Sequence, residues 1–417
     1  MNARMICLTY VTAALCLSPA APPSALAEQP RLDPADFAIL PWGWTPGDES
    51  ALREIHACGF NLAGFVAPEH VDLVEQAGLR CIVSDRRIVN GVAHRIEDVE
   101  EIAKRVSNAT ERLREHPAVF GWYLRDEPDA PYLDILSQWC DVFRDAVPDQ
   151  HHYINLFPIY VNYPAIGVED YEQYVDLFVS KCKPQFISYD NYSLMADGSL
   201  RPGYFKNLEI VRAAALKNDI PFWNIVLSNS HFHYADPSDI TLRFQMYTTL
   251  AYGARGISYF TYFLSSTGNY RLGPIDQFGH KTPTWDMLRR VNLQIHKLGP
   301  VYITLKSINV FHHPNVPDGC RGIASSVNVS EVTGGDLLVG EFVDPKGKPY
   351  VIVVNKSLAD SCAYSLRFRK GGENLMVNAY TGRTHPWGRE QNWLAPGQGM
   401  LLTYRSESPE TDPKASN

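Results

Sequence analysis

None of the eight cysteines falls in a CxxC pair, so zinc-ribbon and dithiol redox motifs have no support. No glycine-rich phosphate loop follows the first strand-like segment, which removes the fingerprint of the dinucleotide-binding folds. Beyond the N-terminal leader, no apolar run is long enough to form a membrane helix. Positive charge is scarce as well. Lys and Arg number 38 against 46 Asp and Glu, for a net charge of −8. That balance disfavours nucleic acid and anionic membranes as partners, and it leaves neutral ligands open.

The chain is 417 residues, enough for one large domain and a small one. Residues 1–27 read as a secretory signal: Arg4 is a short positive region, Ile6 to Leu17 is apolar, and Ala25-Leu26-Ala27 has the form of a cleavage site. Cleavage is expected after Ala27, giving a secreted or periplasmic protein. Arg4 is the segment's single charge, so its loss takes the net charge from −8 to −9. Six cysteines remain. Cys140 and Cys182 fall on consecutive predicted helices, and Cys320 and Cys362 share the C-terminal region. Disulfides in these pairs and buried free thiols both stay open.

Strand-like and helix-like segments then alternate. The strands are expected at 38–44, 61–66, 80–84, 119–125, 151–157, 186–192, 222–228 and 256–263. Amphipathic helical patterns lie at 49–58, 69–77, 95–115, 132–146, 169–182, 204–217, 238–252 and 284–298. Eight strands, each followed by a helix, predict a (β/α)8 TIM barrel over 28–304, ahead of a doubly wound open sheet. From 305 the helical patterns stop. Short strands at 337–342, 350–354, 364–368 and 400–404, separated by turns such as Asp344-Pro345-Lys346-Gly347, predict a small antiparallel β-sandwich over 305–405. The tail, 406–417, is polar and expected to be disordered.

In such a barrel the chemistry lies where strands end. The expected fourth strand is an aromatic-rich apolar run that stops in Asp126-Glu127-Pro128. The other strand ends carry Trp42 and Trp44, Asn155, Tyr189 with Asp190 and Tyr192, Asn229, and Tyr262. Aromatic plates stack on sugar rings, and amides and acids bond sugar hydroxyls. Glycosidic cleavage uses two carboxyl groups, one of them protonated. Asp126 beside Glu127 raises the glutamate's affinity for a proton. The residues therefore nominate Glu127 as general acid/base, with Asp126 assisting and Asp190 as the second carboxylate. His231 and His233 have a metal-like spacing, but two histidines alone make a weak site. No metal or cofactor is expected, and an oligo- or polysaccharide is the expected partner.

Gly121-Trp122-Tyr123-Leu124-Arg125-Asp126-Glu127-Pro128 resembles the fourth-strand motif of clan A glycoside hydrolases, with Asp126 in place of the family's asparagine. Gly279 to Trp285 is similar to the approach to the last barrel helix in β-galactosidase-like members, where a trailing β-domain is also common. The resemblance implies that Glu127 is the acid/base. It also implies a nucleophilic glutamate on strand 7, where Phe222 to Ser230 holds no acid. Ser188-Tyr189-Asp190-Asn191-Tyr192 looks like the sixth strand of chitinase-type barrels, and Asp-Glu on strand 4 resembles β-N-acetylhexosaminidases. In those families the substrate's acetamido group is the nucleophile, which gives a substrate-assisted alternative. A non-catalytic carbohydrate-binding barrel is the other.

Overall fold

The computed structural model describes residues 31–88, 96–388 and 392–406. The leader at 1–27 and the tail from 407 lie outside the described residues. Eight parallel strands are hydrogen-bonded in the order β1-β8-β7-β6-β5-β4-β3-β2. They are β1 (Ala38–Pro41), β2 (Leu62–Val66), β3 (Arg80–Val83), β4 (Val119–Asp126), β5 (His151–Leu156), β6 (Ile187–Asp190), β7 (Phe222–Leu227) and β8 (Gly256–Phe260). The helices between and after them are α1 (Glu49–Ala57), α2 (Val71–Gln76), α3 (Val99–Thr110), α4 (Leu133–Ala146), the single turn α5 (Tyr163–Ile166), α6 (Tyr171–Cys182), α7 (Tyr204–Asn218), α8 (Asp239–Ala251) and α9 (Pro283–Tyr302).

The ring is joined between β1 and β2 by Asn61 N–H to Ile39 O at 3.3 Å, Phe65 N–H to Gly43 O at 2.8 Å and Thr45 N–H to Phe65 O at 3.2 Å. Glycine at position 64 permits this approach, because a Cβ there would meet the carbonyl oxygens of Gly43 and Pro41 at 2.3 Å. The fold is the TIM barrel that the alternating pattern predicts. Six of its strands end one to three residues earlier than the sequence suggests, β2 ends at Val66 as expected, and β4 runs one residue further, to Asp126. Gly43, at φ +123°, takes the chain out of the extended region after β1. Beyond β8, the Thr261 hydroxyl bonds Phe263 O at 2.9 Å in a local turn.

Strand parity divides the core in two. Leu40, Phe65, Tyr123, Tyr153, Phe186 and Trp223 fill the barrel lumen. Phe65 stacks on Tyr123 and Phe186 on Trp223, each at 4.0 Å between ring centres. Residues of the opposite parity, among them Trp122, Leu124, Ile154 and Tyr189, pack outward against the helices.

The C-terminal strands are β9 (Lys306–His313), β10 (Val329–Gly334), β11 (Leu337–Val343), β12 (Pro349–Asn355), β13 (Cys362–Phe368), β14 (Glu373–Val377), β15 (Thr384–Pro386), β16 (Trp393–Leu394) and β17 (Gly399–Arg405). They form a three-stranded sheet, β10-β13-β16, and a six-stranded sheet, β15-β14-β17-β12-β11-β9. Val329, Tyr364 and Phe368 of the first pack on Phe311, Val339, Val353 and Leu402 of the second. The alternate residues Leu338, Phe342, Ile352 and Val354 belong to the barrel's own outer core. Helix α8 is therefore covered on both sides, which explains its nearly continuous burial from Leu242 to Ala251. Gly340 permits the docking: a Cβ there would lie 2.0 Å from Ala251 O.

The six cysteines are free thiols. Cys140 and Cys182 are buried and near enough to perturb each other's thiol. Cys320 instead faces the Tyr252 hydroxyl at 3.8 Å.

Candidate active site

The fourth strand delivers its acids as the sequence suggests, and the backbone shows how. Asp126 ends β4 facing the lumen. Glu127 then turns the chain with φ at +45°, a left-handed conformation that costs a non-glycine residue about 1–3 kcal/mol. Neighbouring groups hold this turn. Glu127 N–H donates to Asn155 O at 2.8 Å, and the Tyr174 hydroxyl on α6 donates to Pro128 O at 2.6 Å. Tyr171, one turn earlier on α6, fixes the loop after β5 by donating to Phe157 O at 2.7 Å.

Three carboxylates meet around one amide. Asn155 Nδ2 donates to Asp126 Oδ1 at 3.1 Å and to Asp190 Oδ1 at 2.9 Å. The Ser188 hydroxyl donates to Asn155 Oδ1 at 3.2 Å and also contacts the Tyr153 hydroxyl at 2.9 Å, so the amide cannot flip without losing partners. Glu127 and Asp190 are near enough to shift each other's proton affinity. Charging both at once is unfavourable, so the pair favours holding a proton.

Burial, and after it the Asp126 charge, push Glu127 up to about 7, while Asp190 pulls in the other direction. Asp190 is raised well above the carboxylate range by burial and then by Glu127. Asp126 is raised by burial, opposed by Asn155 and Arg125. This is a set of acids able to hold and release a proton near neutral pH.

An aromatic cluster begins at Tyr192, whose hydroxyl feels the charges of Asp190 and Asp126. Tyr192 stacks on Phe260 at 5.5 Å, Trp42 packs against Phe260 at 5.5 Å and Phe65 at 5.1 Å, and His231 meets Phe260 at 5.7 Å. In the ring order β8 lies across from β4. Tyr160 accepts from Tyr192 N–H at 3.3 Å and carries the Arg201 guanidinium 4.1 Å above its ring. Sequence reasoning missed Ser188, Tyr160, Arg201 and Phe260. For Ser188 a signal existed, because it shares strand parity with Asp190.

The remaining nominated residues are placed as follows. Asn229 is buried, and its Oδ1 meets His231 Nδ1 at 2.9 Å. Burial lowers the His231 imidazole to about 4. Among the described residues, no group of three His, Cys, Asp or Glu side chains is arranged to hold a metal ion. Trp44 is 67% exposed and borders a depression of about 450 Å³ with Glu69, Asp85, Arg86 and Arg87. Tyr189 and Tyr262 are placed away from the mouth. Tyr189 is fully buried in the helix-facing core, because its neighbours Ser188 and Asp190 take the lumen face. Tyr262 lies beyond β8, against Phe60 at 5.3 Å, with its hydroxyl accepting from Trp285 Nε1 at 2.9 Å. Strand β7 carries no acid along Phe222–Leu227, and the acids gathered at Asn155 come from the ends of β4 and β6.

No protein-family model matches the chain, and no curated protein matches it in sequence. Solved structures do share the fold. One described as a glycoside hydrolase superposes with a TM-score of 0.58 at 11% identity, covering 89% of this chain and 93% of that one. A glycoside hydrolase family 5 protein from Bacteroides vulgatus superposes at 0.57 and 11% identity, covering 88% of each chain. A catalytic mutant of Gan42B, a GH42 β-galactosidase from G. stearothermophilus, superposes at 0.55 and 8% identity, covering 89% of this chain and 98% of that one. The β-galactosidase from the psychrophilic Marinomonas ef1 is a looser match: TM-score 0.48, 11% identity, 64% of this chain covered and 62% of that one. At these identities the likeness establishes a barrel with a trailing β-domain.

Proposed function

We propose that this protein is a glycoside hydrolase in which Glu127 is the proton donor. The observation that carries the reading is a carboxyl raised to about 7 at the barrel mouth, beside Asp126 and Asp190, which share the Asn155 amide. Protonated Glu127 gives its proton to the leaving oxygen as the glycosidic C–O bond breaks. The resulting carboxylate then takes a proton from the water that attacks the anomeric carbon. Tyr192 and Trp42 offer ring faces to the sugar, and Asn155 holds Asp126 and Asp190 in place. The described glycoside hydrolases of the same fold support this reading. Residues 1–27 support export, which N-terminal sequencing of protein recovered outside the cytoplasm tests directly.

The test is turnover of a panel of aryl glycosides by wild type and Glu127→Gln. The variant is expected to lose about 100- to 10,000-fold in kcat. Near wild-type turnover would end the assignment. Binding of glycans with no cleavage by wild type would instead mark a carbohydrate-binding barrel.

One observation favours the substrate-assisted form of the reaction. A carboxylate nucleophile needs to stand about 5–5.5 Å from the acid, and an inverting base about 6.5–9.5 Å. β7, where the resemblance implies a nucleophilic glutamate, supplies no acid along Phe222–Leu227. A 2-acetamido group on the sugar would supply the nucleophilic oxygen, with Asp190 accepting its N–H. Aryl 2-acetamido-2-deoxyglycosides are then cleaved in preference to their 2-hydroxy counterparts. Equal or better turnover of the 2-hydroxy series removes this form and leaves Glu127 as donor.

A further inference from the structure

A second aromatic site lies where the barrel flank meets the C-terminal sheets. Tyr380, 73% exposed, and Trp393, 60% exposed, border a depression of about 220 Å³. Its lining also includes three amides, Gln294 on α9, Asn378 and Gln398. The carbonyl oxygen of each amide is already occupied by the protein. Tyr247 OH donates to Gln294 Oε1 at 3.0 Å, Tyr380 N–H to Asn378 Oδ1 at 2.9 Å, and Ala395 N–H to Gln398 Oε1 at 3.0 Å. These bonds orient the amides and leave their NH2 groups as the donors available to a ligand. No charged side chain lines the depression among the described residues.

The two rings are fixed by backbone. Trp393 pairs with Ala363 in the β13–β16 ladder. Tyr380 stands on a turn in which Asn378 Oδ1 also accepts from Thr381 N–H at 3.0 Å. Gln294 is eleven residues into α9, about 16 Å along that helix from its mouth-side start. The depression is therefore on the barrel flank, apart from the acids.

We propose that this depression is a second, non-catalytic binding site for a neutral saccharide. Exposed ring faces stack on the apolar faces of sugar rings, and oriented amide donors bond hydroxyl oxygens. Among the described residues the lining carries no charge, which favours a neutral chain over a sulfated or uronic-acid one. An enzyme with such a site would hold a long glycan at the flank while one of its bonds reaches the mouth. Only this last consequence rests on the proposed glycosidase activity; the binding itself does not.

The experiment is native gel electrophoresis of the full chain through soluble galactan, arabinoxylan, glucomannan and dextran, with Trp393→Ala/Tyr380→Ala beside wild type. Both proteins are also made with Glu127→Gln, so that no polymer is degraded during the run. Retardation by at least one polymer is expected, and the double variant is expected to bind it about tenfold more weakly. Turnover of small aryl glycosides is expected to be unchanged in the double variant that keeps Glu127. Circular dichroism and the melting temperature identify a folded variant, and Gln398→Leu gives a second, milder test on the amide. The proposal is overturned if none of the four polymers retards wild type, or if folded variants are retarded equally. Loss of glycosidase activity in all assays would remove the catalytic reading while leaving the retardation result to stand by itself.

Discussion

Two buried regions of this chain hold carboxylates, and they solve the problem of a buried acid in opposite ways. In the C-terminal sandwich, Glu341 is fully buried on β11 and surrounded by donors. It accepts from Asn309 Nδ2 at 2.7 Å, Ser326 Oγ at 2.8 Å, and the backbone N–H groups of Val327, Asn328 and Val329 at 2.9, 2.7 and 3.2 Å. Five donors satisfy the carboxylate and order the 326–329 loop around it. At the barrel mouth, Asp126, Glu127 and Asp190 face one another, with a single amide NH2 shared between two of them. The first arrangement spends an acid on structure, since every lone pair has a partner. The second leaves acids under-supplied with donors, so that a proton must stay and can move.

Exchanging the acids one at a time should separate the two regions sharply. Glu127→Gln is expected to remove turnover by the 100- to 10,000-fold stated above while the protein stays folded. Glu341→Ala is expected to do the reverse. It strands up to five donors in a dry site and should cost about 3 kcal/mol of stability, read as a lower denaturant midpoint, with kcat of the folded fraction unchanged. If Glu341→Ala instead lowers kcat in protein that is fully folded, the division between a structural and a chemical acid fails.

The pH dependence of stability sharpens the same contrast. Glu127 is raised from 4.5 to about 7 on folding. Its contribution to stability is thus fully present below about 4.5 and is lost as pH rises through about 7. Glu127 is partly exposed, so solvent screening keeps this loss on the order of 2 kcal/mol. Urea midpoints measured between pH 4.5 and 8 should fall with rising pH in wild type. The slope should be visibly flatter in Glu127→Gln. Parallel slopes would mean that Glu127 titrates normally in the folded protein.

The fold was legible because its signals are local. Each barrel strand is a short apolar run, most of them stopped by glycine, proline or an acid, and each helix keeps its own period. The less regular strands of the sandwich were not. Lys306–His313 alternates without a clear apolar face, since β9 offers only four consecutive buried positions, Asn309 to His312, two of them polar. Val329–Gly334 is interrupted by a register shift between Val329 and Glu331. At the site, the acids at the ends of β4 and β6 were readable from position alone. Tyr189 was misplaced by attention to residue type over parity: a lumen-facing Asp190 puts its neighbour among the helices. The placement of Glu127 near Asp190 was beyond reach, because the chain takes a left-handed turn at Glu127, where a residue before proline is least expected to turn. Tyr160 and Arg201 meet only through tertiary packing of two loops.

The smallest expected effect is the most specific, because it concerns which acid holds the shared proton. Asn155 Nδ2 donates to Asp126 and Asp190, which favours their charged forms, and Glu127 receives no such bond from it. The amide therefore shifts the proton of the Glu127–Asp190 pair toward Glu127, against the burial that raises Asp190, and the proposed donor role needs it there. Asn155→Ala removes that bias. The proton then spends more time on Asp190, and kcat is expected to fall about tenfold, or about 1.4 kcal/mol, with KM little changed. The alkaline limb of the pH–rate profile moves in the opposite sense to the plateau. Losing a donor to the charged pair makes the pair's last proton harder to remove, so the limb shifts upward in pH even as the maximum drops. A positional role alone would lower the plateau and leave the limb where it was. A profile of kcat against pH for wild type and Asn155→Ala, on the same aryl glycoside, distinguishes the two.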